Sequence, residues 1–195
     1  MSSRQQPVIA TTAQTVSHDQ IKSLAEKGDA EAELQMGLRY KSIAWGIKDD
    51  KIAAQWFEKA ARHDLVEAQY RYGSALLEGQ GVIQDYKTAF YWLEKAAQQG
   101  HAQAQFTLGE MYHSGLAIKS DIERAYLWFN LAAAQGVESA ASARNIVVQL
   151  LTPIQVAAMQ EEASRISLAQ HSGHVASVPK VEVKNPVPAV VDKPL

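Results

Sequence analysis

An all-α solenoid of helix–turn–helix units is the fold this sequence predicts, and three observations predict it. First, residue identities recur at a spacing of 36: Trp56, Trp92 and Trp128; Gly37, Gly73 and Gly109; Ala53, Ala89 and Ala125; Ala60, Ala96 and Ala132; Asp49, Asp85 and Asp121. Ala32, Ala68, Ala104 and Ala140 carry the period into a fourth copy. That spacing is too long for a coiled-coil heptad and suits a two-helix repeat. Second, apolar residues within a unit recur every three or four positions, as in Ala68, Tyr72 and Leu76 and again in Ala89, Trp92, Leu93 and Ala96. That spacing gathers them on one helical face. Third, Gly79-Gln80-Gly81-Val82-Ile83-Gln84-Asp85 separates the two segments. The glycines stop the first helix, since glycine takes the left-handed conformation without a Cβ penalty, and Asp85 caps the free N–H groups of the second.

Each element follows in order. Residues 1–16 carry no periodic pattern and are expected to be loose. Residues 17–29 read as an isolated second helix, with Ser17 as N-cap and Gly28-Asp29 as the exit. Three full units follow at about 30–65, 66–101 and 102–137. A mid-helix glycine costs roughly 1 kcal/mol relative to alanine. Its recurrence in register at Gly37, Gly73 and Gly109 predicts a close helix–helix contact in every unit, with the Trp92 ring filling the wider gap beside Gly73 and Ala96. Residues 138–168 form a cap: one more first helix, then Thr152 as N-cap and Pro153 at the first helical position of a last helix reaching about Ile166. Arg144 and Asn145 stand there in place of a Leu-Gly pair, as expected of a polar end that no further repeat covers. Residues 169–195, with four of the six prolines at 179, 186, 188 and 194, read as a disordered tail. Val181-Glu182-Val183 within it alternates as an extended docking segment does.

Composition narrows the function. Apolar residues make up 47% of the 195 positions, enough for a core, and the net charge of −2 offers no attraction for nucleic acid or anionic lipid. The chain has no cysteine, which rules out disulfides and thiolate metal sites. No long apolar run predicts a membrane span, and the N-terminal stretch lacks the apolar core of a signal peptide. A cytoplasmic protein is the expectation, with signal-independent export left open.

Catalytic signatures are not found. Gly79-Gln80-Gly81 lacks the third glycine and the Lys-Ser or Lys-Thr of a phosphate loop. His171 and His174 have ligand spacing but no nearby third ligand, and His101 and His113 lie over three helical turns apart. Glu161 and Glu162 are adjacent, so they point to different faces of a helix. No nucleophile elbow occurs. The expectation is no enzyme activity, no metal and no cofactor.

The second unit, with Gly73, Gly79, Gly81, Val82, Asp85, Ala89, Trp92, Lys95, Ala96, Ala97 and Gly100, resembles the Sel-one-like repeat (SLR) family of tetratricopeptide-like α-solenoids. The third unit fits with Ala117 at the second loop-glycine position, and the first departs, with Ile43 and Trp45 at both. The resemblance covers about residues 17–168. It implies a right-handed superhelix whose first helices line a concave, partner-binding surface. The first-helix residues it nominates are Glu31, Leu34, Leu38, Lys41 and Ser42; Glu67, Tyr70, Ser74, Leu77 and Glu78; and Gln103, Phe106, Glu110, His113 and Ser114. Leu34, Tyr70 and Phe106 form either an apolar row in the groove or packing between successive first helices. The implied function is that of a monomeric, non-catalytic adaptor for a peptide or protein, the groove suiting an apolar segment with basic residues. An enzyme-like binder of a small or cell-wall ligand and a self-associating structural module are the alternatives.

Overall fold

The computed structural model describes residues 17–43 and 48–172. The expected loose N-terminal segment, Trp45 in the first loop, His174 and nearly all of the expected tail lie outside those residues. Among the described residues nine α-helices follow one another: α1 (His18–Glu26), α2 (Ala30–Lys41), α3 (Asp50–Arg62), α4 (Val66–Glu78), α5 (Tyr86–Gln98), α6 (Ala102–Ser114), α7 (Ile122–Ala134), α8 (Glu138–Val147) and α9 (Pro153–His171), with a 3₁₀ turn at Val148–Leu150. There is no strand among the described residues. Each helix packs on its neighbours in the chain as far as α8, and α9 packs on α7.

The helix starts are set by the side chains expected to set them. Asp49 Oδ1 accepts from the N–H groups of Lys51 (2.9 Å) and Ile52 (3.0 Å). Asp85 Oδ1 accepts from Lys87 and Thr88 (3.0 and 3.1 Å), and Asp121 Oδ1 from Arg124 (3.0 Å). Ser17 and Thr152 each form a capping box, with Gln20 and Gln155 respectively. Asp29, expected only as an exit residue, caps α2 through Ala32 N–H at 2.8 Å. Every unit closes its internal turn with one equivalent backbone bond: Asp49 N–H to the Tyr40 carbonyl, Asp85 to Leu76 and Asp121 to Tyr112. The first unit keeps this bond although Ile43 replaces the loop glycine.

Glycine geometry explains the repeat. A Cβ on Gly37 would stand 2.5 Å from the Phe57 ring, on Gly73 2.9 Å from Leu93 Cγ, and on Gly109 2.6 Å from the Phe129 ring. The close contact is therefore made by the residue that follows each tryptophan. Trp92 itself is half-buried with its edge against Tyr72, ring centroids 5.8 Å apart, whereas Trp128 is fully buried. Gly81 adopts φ +73° and a Cβ there would lie 2.0 Å from the Asp50 carbonyl oxygen, so the loop of the second unit rests directly on the start of α3.

A buried polar ladder, spaced 36 residues apart, ties first to second helices. Gln69 and Gln105 are fully buried. The Gln99 side-chain amide donates to Gln69 Oε1 at 2.8 Å and that of Gln135 to Gln105 Oε1 at 2.7 Å. Gln69 and Gln105 pass their own N–H groups to Asp64 Oδ1 and the Ala97 carbonyl. In the first unit the same positions hold Glu33 and His63, 3.6 Å apart. Burial raises the Glu33 carboxyl above its ordinary range, although His63 and Lys59 pull the other way.

The C-terminal cap departs from expectation in three ways. α8 and α9 scarcely touch, because both lean on α7. Asn145 occupies the register where glycine admits Phe57, Leu93 or Phe129 in the other units. The exposed end is aliphatic where a polar end is expected: Ile146, Leu150 and Ile154 are 66%, 65% and 82% exposed. Finally, α9 continues to His171, five residues past Ile166. Nothing from Ser167 to Gln170 breaks a helix, and the Gln170 side-chain amide donates to the Ala97 and Gln98 carbonyls at 3.2 and 3.0 Å, capping the end of α5.

Candidate partner-binding face

The nominated first-helix residues divide by burial. Leu34 is 5% exposed and belongs to the core, so it offers nothing to a partner. Leu38, Lys41, Ser42, Glu67, Tyr70, Ser74, Leu77 and Phe106 are half-buried; Glu31, Glu78, Gln103, Glu110, His113 and Ser114 are exposed. Of the apolar row, Tyr70 stacks on His101 with ring centroids 4.3 Å apart and planes 23° apart, and Phe106 tilts against Phe129 at 5.8 Å. Both rings therefore spend a face on their own fold.

Most of the acidic residues are also committed. Glu31 accepts from the Gln35 amide, and Glu78 from the Gln80 amide. Glu67 accepts from Arg71 Nε at 2.6 Å and stands 2.9 Å from His101 Nε2. His101 Nδ1 accepts the Ala104 N–H at 3.1 Å, which assigns the ring proton to Nε2 and makes the imidazole a donor to Glu67. Burial raises the Glu67 pKa, but these bonds and the Arg71 charge outweigh it and hold the carboxyl below its usual range.

Glu110 differs. Among the described residues no side chain pairs with its carboxylate, and partial burial alone raises its pKa. It lies one turn after Phe106 and just before His113 on α6. Adding the period of 36 to Glu110 and Ser114 reaches Ile146 on the next first helix, α8, and Leu150 in the 3₁₀ turn that follows it. The nomination stopped at α6 and passed over these two residues, which the repeat arithmetic alone identifies. In repeat register, the unpaired carboxylate on α6 is thus followed by bare aliphatic residues at α8 and the turn after it.

Two hollows lie on the surface. One of about 190 Å³ is bounded by Lys41, Asp50, Phe57, Tyr70, Ser74 and Glu78. Within it Lys41 Nζ lies 3.1 Å from Asp50 Oδ1. The other, about 680 Å³, lies between α7 and the end of α9 and has His171 as its only titratable side chain. No cluster of three or more His, Asp or Glu placed to hold a metal occurs among the described residues. No described helix is long and apolar enough to cross a membrane.

The profile of the Sel1 repeat matches residues 30–65, 66–101 and 102–137. Among solved structures, the chain is similar to a protective antigen of uropathogenic Escherichia coli strains that displays an SLR fold, with 33% identity and a TM-score of 0.66. The match covers 80% of this chain and 33% of the antigen, so the chain spans about a third of that protein. It is also similar to a Sel1 repeat protein from Oxalobacter formigenes, with 35% identity and a TM-score of 0.58, over 64% of this chain and 94% of that one. No curated protein sequence matches it. With three matched repeats covering more than half its length, the chain belongs to the Sel1 repeat family.

Proposed function

We propose that the chain is a non-catalytic scaffold that binds a basic, apolar segment of a partner protein across the first-helix face of α6 and α8. Sel1 repeat proteins are generally protein-interaction scaffolds. The observation that carries the finer reading is the Glu110 carboxylate, unpaired, partly desolvated and in register with exposed Ile146. A lysine or arginine supplied by a partner neutralises that carboxylate in a partly dry setting, where charge pairing exceeds its value in water. Ile146 and Leu150 then receive the partner's aliphatic side chains. Gln103 and His113 border the site on α6 as hydrogen-bonding groups.

Selection of displayed random peptides on the full chain tests this. The expected winners combine Lys or Arg with Leu, Ile or Val, and lose at least about tenfold in affinity to Glu110→Lys, a loss of 1.4 kcal/mol or more. Ile146→Ser weakens them as well, while the helical circular dichroism of both variants matches the parent. Selected peptides that bind parent, Glu110→Lys and Ile146→Ser equally would refute the assignment.

A further inference from the structure

Three observations converge on the start of α6. The last helix ends there: Gln170 hydrogen-bonds the Ala97 and Gln98 carbonyls, and its side chain lies over Gly100, two residues before Ala102 opens α6. From that point α6 displays Gln103, Phe106, Glu110 and His113 in order along its outward side. Residues 173–195, which follow directly, place Lys180, Lys184 and Lys193 among valines, prolines and a leucine, with only Glu182 and Asp192 opposing them.

We infer that the segment Val178–Val187 of the chain's own C-terminal region docks on the α6–α8 face, lysine to Glu110 and valines to Ile146 and Leu150, and so competes with the external partner. This rests on the reading of that face as a peptide site. Chain length permits it: residues 173–179, if extended, reach about 22 Å before Lys180, against about 12 Å along α6 from Ala102 to Glu110. Charge complementarity favours it. The face offers the Glu110 carboxylate without a cation, and the segment offers cations whose neighbours are the apolar side chains that bare Ile146 and Leu150 require. Linkage favours it too. A segment tethered beside its site acts at an effective concentration in the millimolar range, so weak intrinsic affinity suffices for occupancy.

The absence of native cysteine makes a direct test available on the full chain. Ser142→Cys places a thiol on exposed α8, one turn before Ile146, and Val183→Cys places another in the segment. A disulfide forms only when the Cα atoms approach within about 7 Å. In dilute solution this pair is expected to close within one chain at least about tenfold faster than a control pair of Gln55→Cys on exposed α3 with Val183→Cys. Glu110→Lys slows closure toward the control rate, and adding Lys180→Glu and Lys184→Glu restores it. Should Ser142→Cys perturb folding, Ser114→Cys on α6 serves instead. Closure at the control rate, closure indifferent to Glu110→Lys, or links formed only between two chains would each overturn the inference. If closure fails while display-selected peptides still lose affinity to Glu110→Lys, the segment is not the occupant and the face keeps its proposed role. If the peptides also ignore Glu110→Lys, the face itself is misassigned.

Discussion

Gly79 and Gly81 share one loop and nearly one backbone conformation, φ +68° and +73°, yet their surroundings differ. A Cβ at position 79 would meet nothing nearer than Gln84 Cβ at 3.4 Å, an ordinary contact. A Cβ at position 81 would fall 2.0 Å from the Asp50 oxygen and 2.2 Å from its carbonyl carbon, both backbone atoms of the first turn of α3. Alanine in the left-handed region costs about 1–2 kcal/mol. Restricting the unfolded chain returns about 0.4–1 kcal/mol. Gly79→Ala is therefore expected to destabilise by about 1 kcal/mol. Gly81→Ala carries the same conformational cost and adds an overpacking cost of about 1–3 kcal/mol, since the obstacle is helix backbone that cannot rotate aside. The gap between the two variants isolates the contact between the second unit's loop and the first unit's second helix. At about 2–4 °C per kcal/mol for a chain of this size, Gly81→Ala should melt about 2–12 °C below Gly79→Ala in thermal circular dichroism at 222 nm. Equal melting temperatures would refute the claim that this loop rests on α3, and with it the explanation of the second loop glycine as a stacking residue.

Three further outcomes follow from the same packing. Asp64 holds φ +60° and accepts from Lys95 Nζ and the Gln69 amide, at 3.1 and 3.2 Å; Gly28, Gly100 and Gly136 fill the equivalent positions. Asp64→Gly and Asp64→Ala both lose those bonds, so chemical denaturation should find the glycine variant more stable than the alanine variant by about 1 kcal/mol, the left-handed penalty alone. Glu33→Gln restores the ladder's amide. The Glu33 pKa is raised in the fold, so its contribution is favourable below its unfolded pKa and is lost as pH rises through the folded value. The variant should thus gain a few degrees at pH 7, about 1 kcal/mol, and show no gain near pH 3; a pH-independent difference would contradict this. Tyr70→Ser with Phe106→Ser should lower the melting temperature by several degrees, because each ring packs on a neighbour, Tyr70 on His101 and Phe106 on Phe129. An unchanged melting curve would return both rings to the binding face.

The fold was legible because its determinants are local and repeated. Asp49, Asp85 and Asp121 cap helices through side chains that reach only two or three residues, so position along the chain suffices to read them. The ladder of Gln69 and Gln105 was harder to see. Glutamine is ordinarily a surface residue, and only its recurrence at 36 together with Gln99 and Gln135 marks it as buried. The tryptophan register is conspicuous in the sequence, but the side chain that each helical glycine admits is the one at the following position, Phe57, Leu93 or Phe129. The cap misled for a related reason. Substituting Asn145 for glycine looks like the addition of polarity to an end, but its larger consequence is steric: it closes the notch that holds a hairpin together. Ile146 and Leu150 stand in solvent at the registers that Glu110 and Ser114, also exposed, hold in the third unit. The acidic face shows the same limit from the other side. Glu67 and Glu110 look alike in sequence, and what separates them is whether a donor side chain reaches them: Arg71 sits one turn from Glu67, and His101 arrives from the start of α6. No such group reaches Glu110 among the described residues, so its carboxylate is left for a cation from elsewhere in the proposed complex. That is why the binding proposal is built on Glu110 and not on Glu67, although the sequence nominates both.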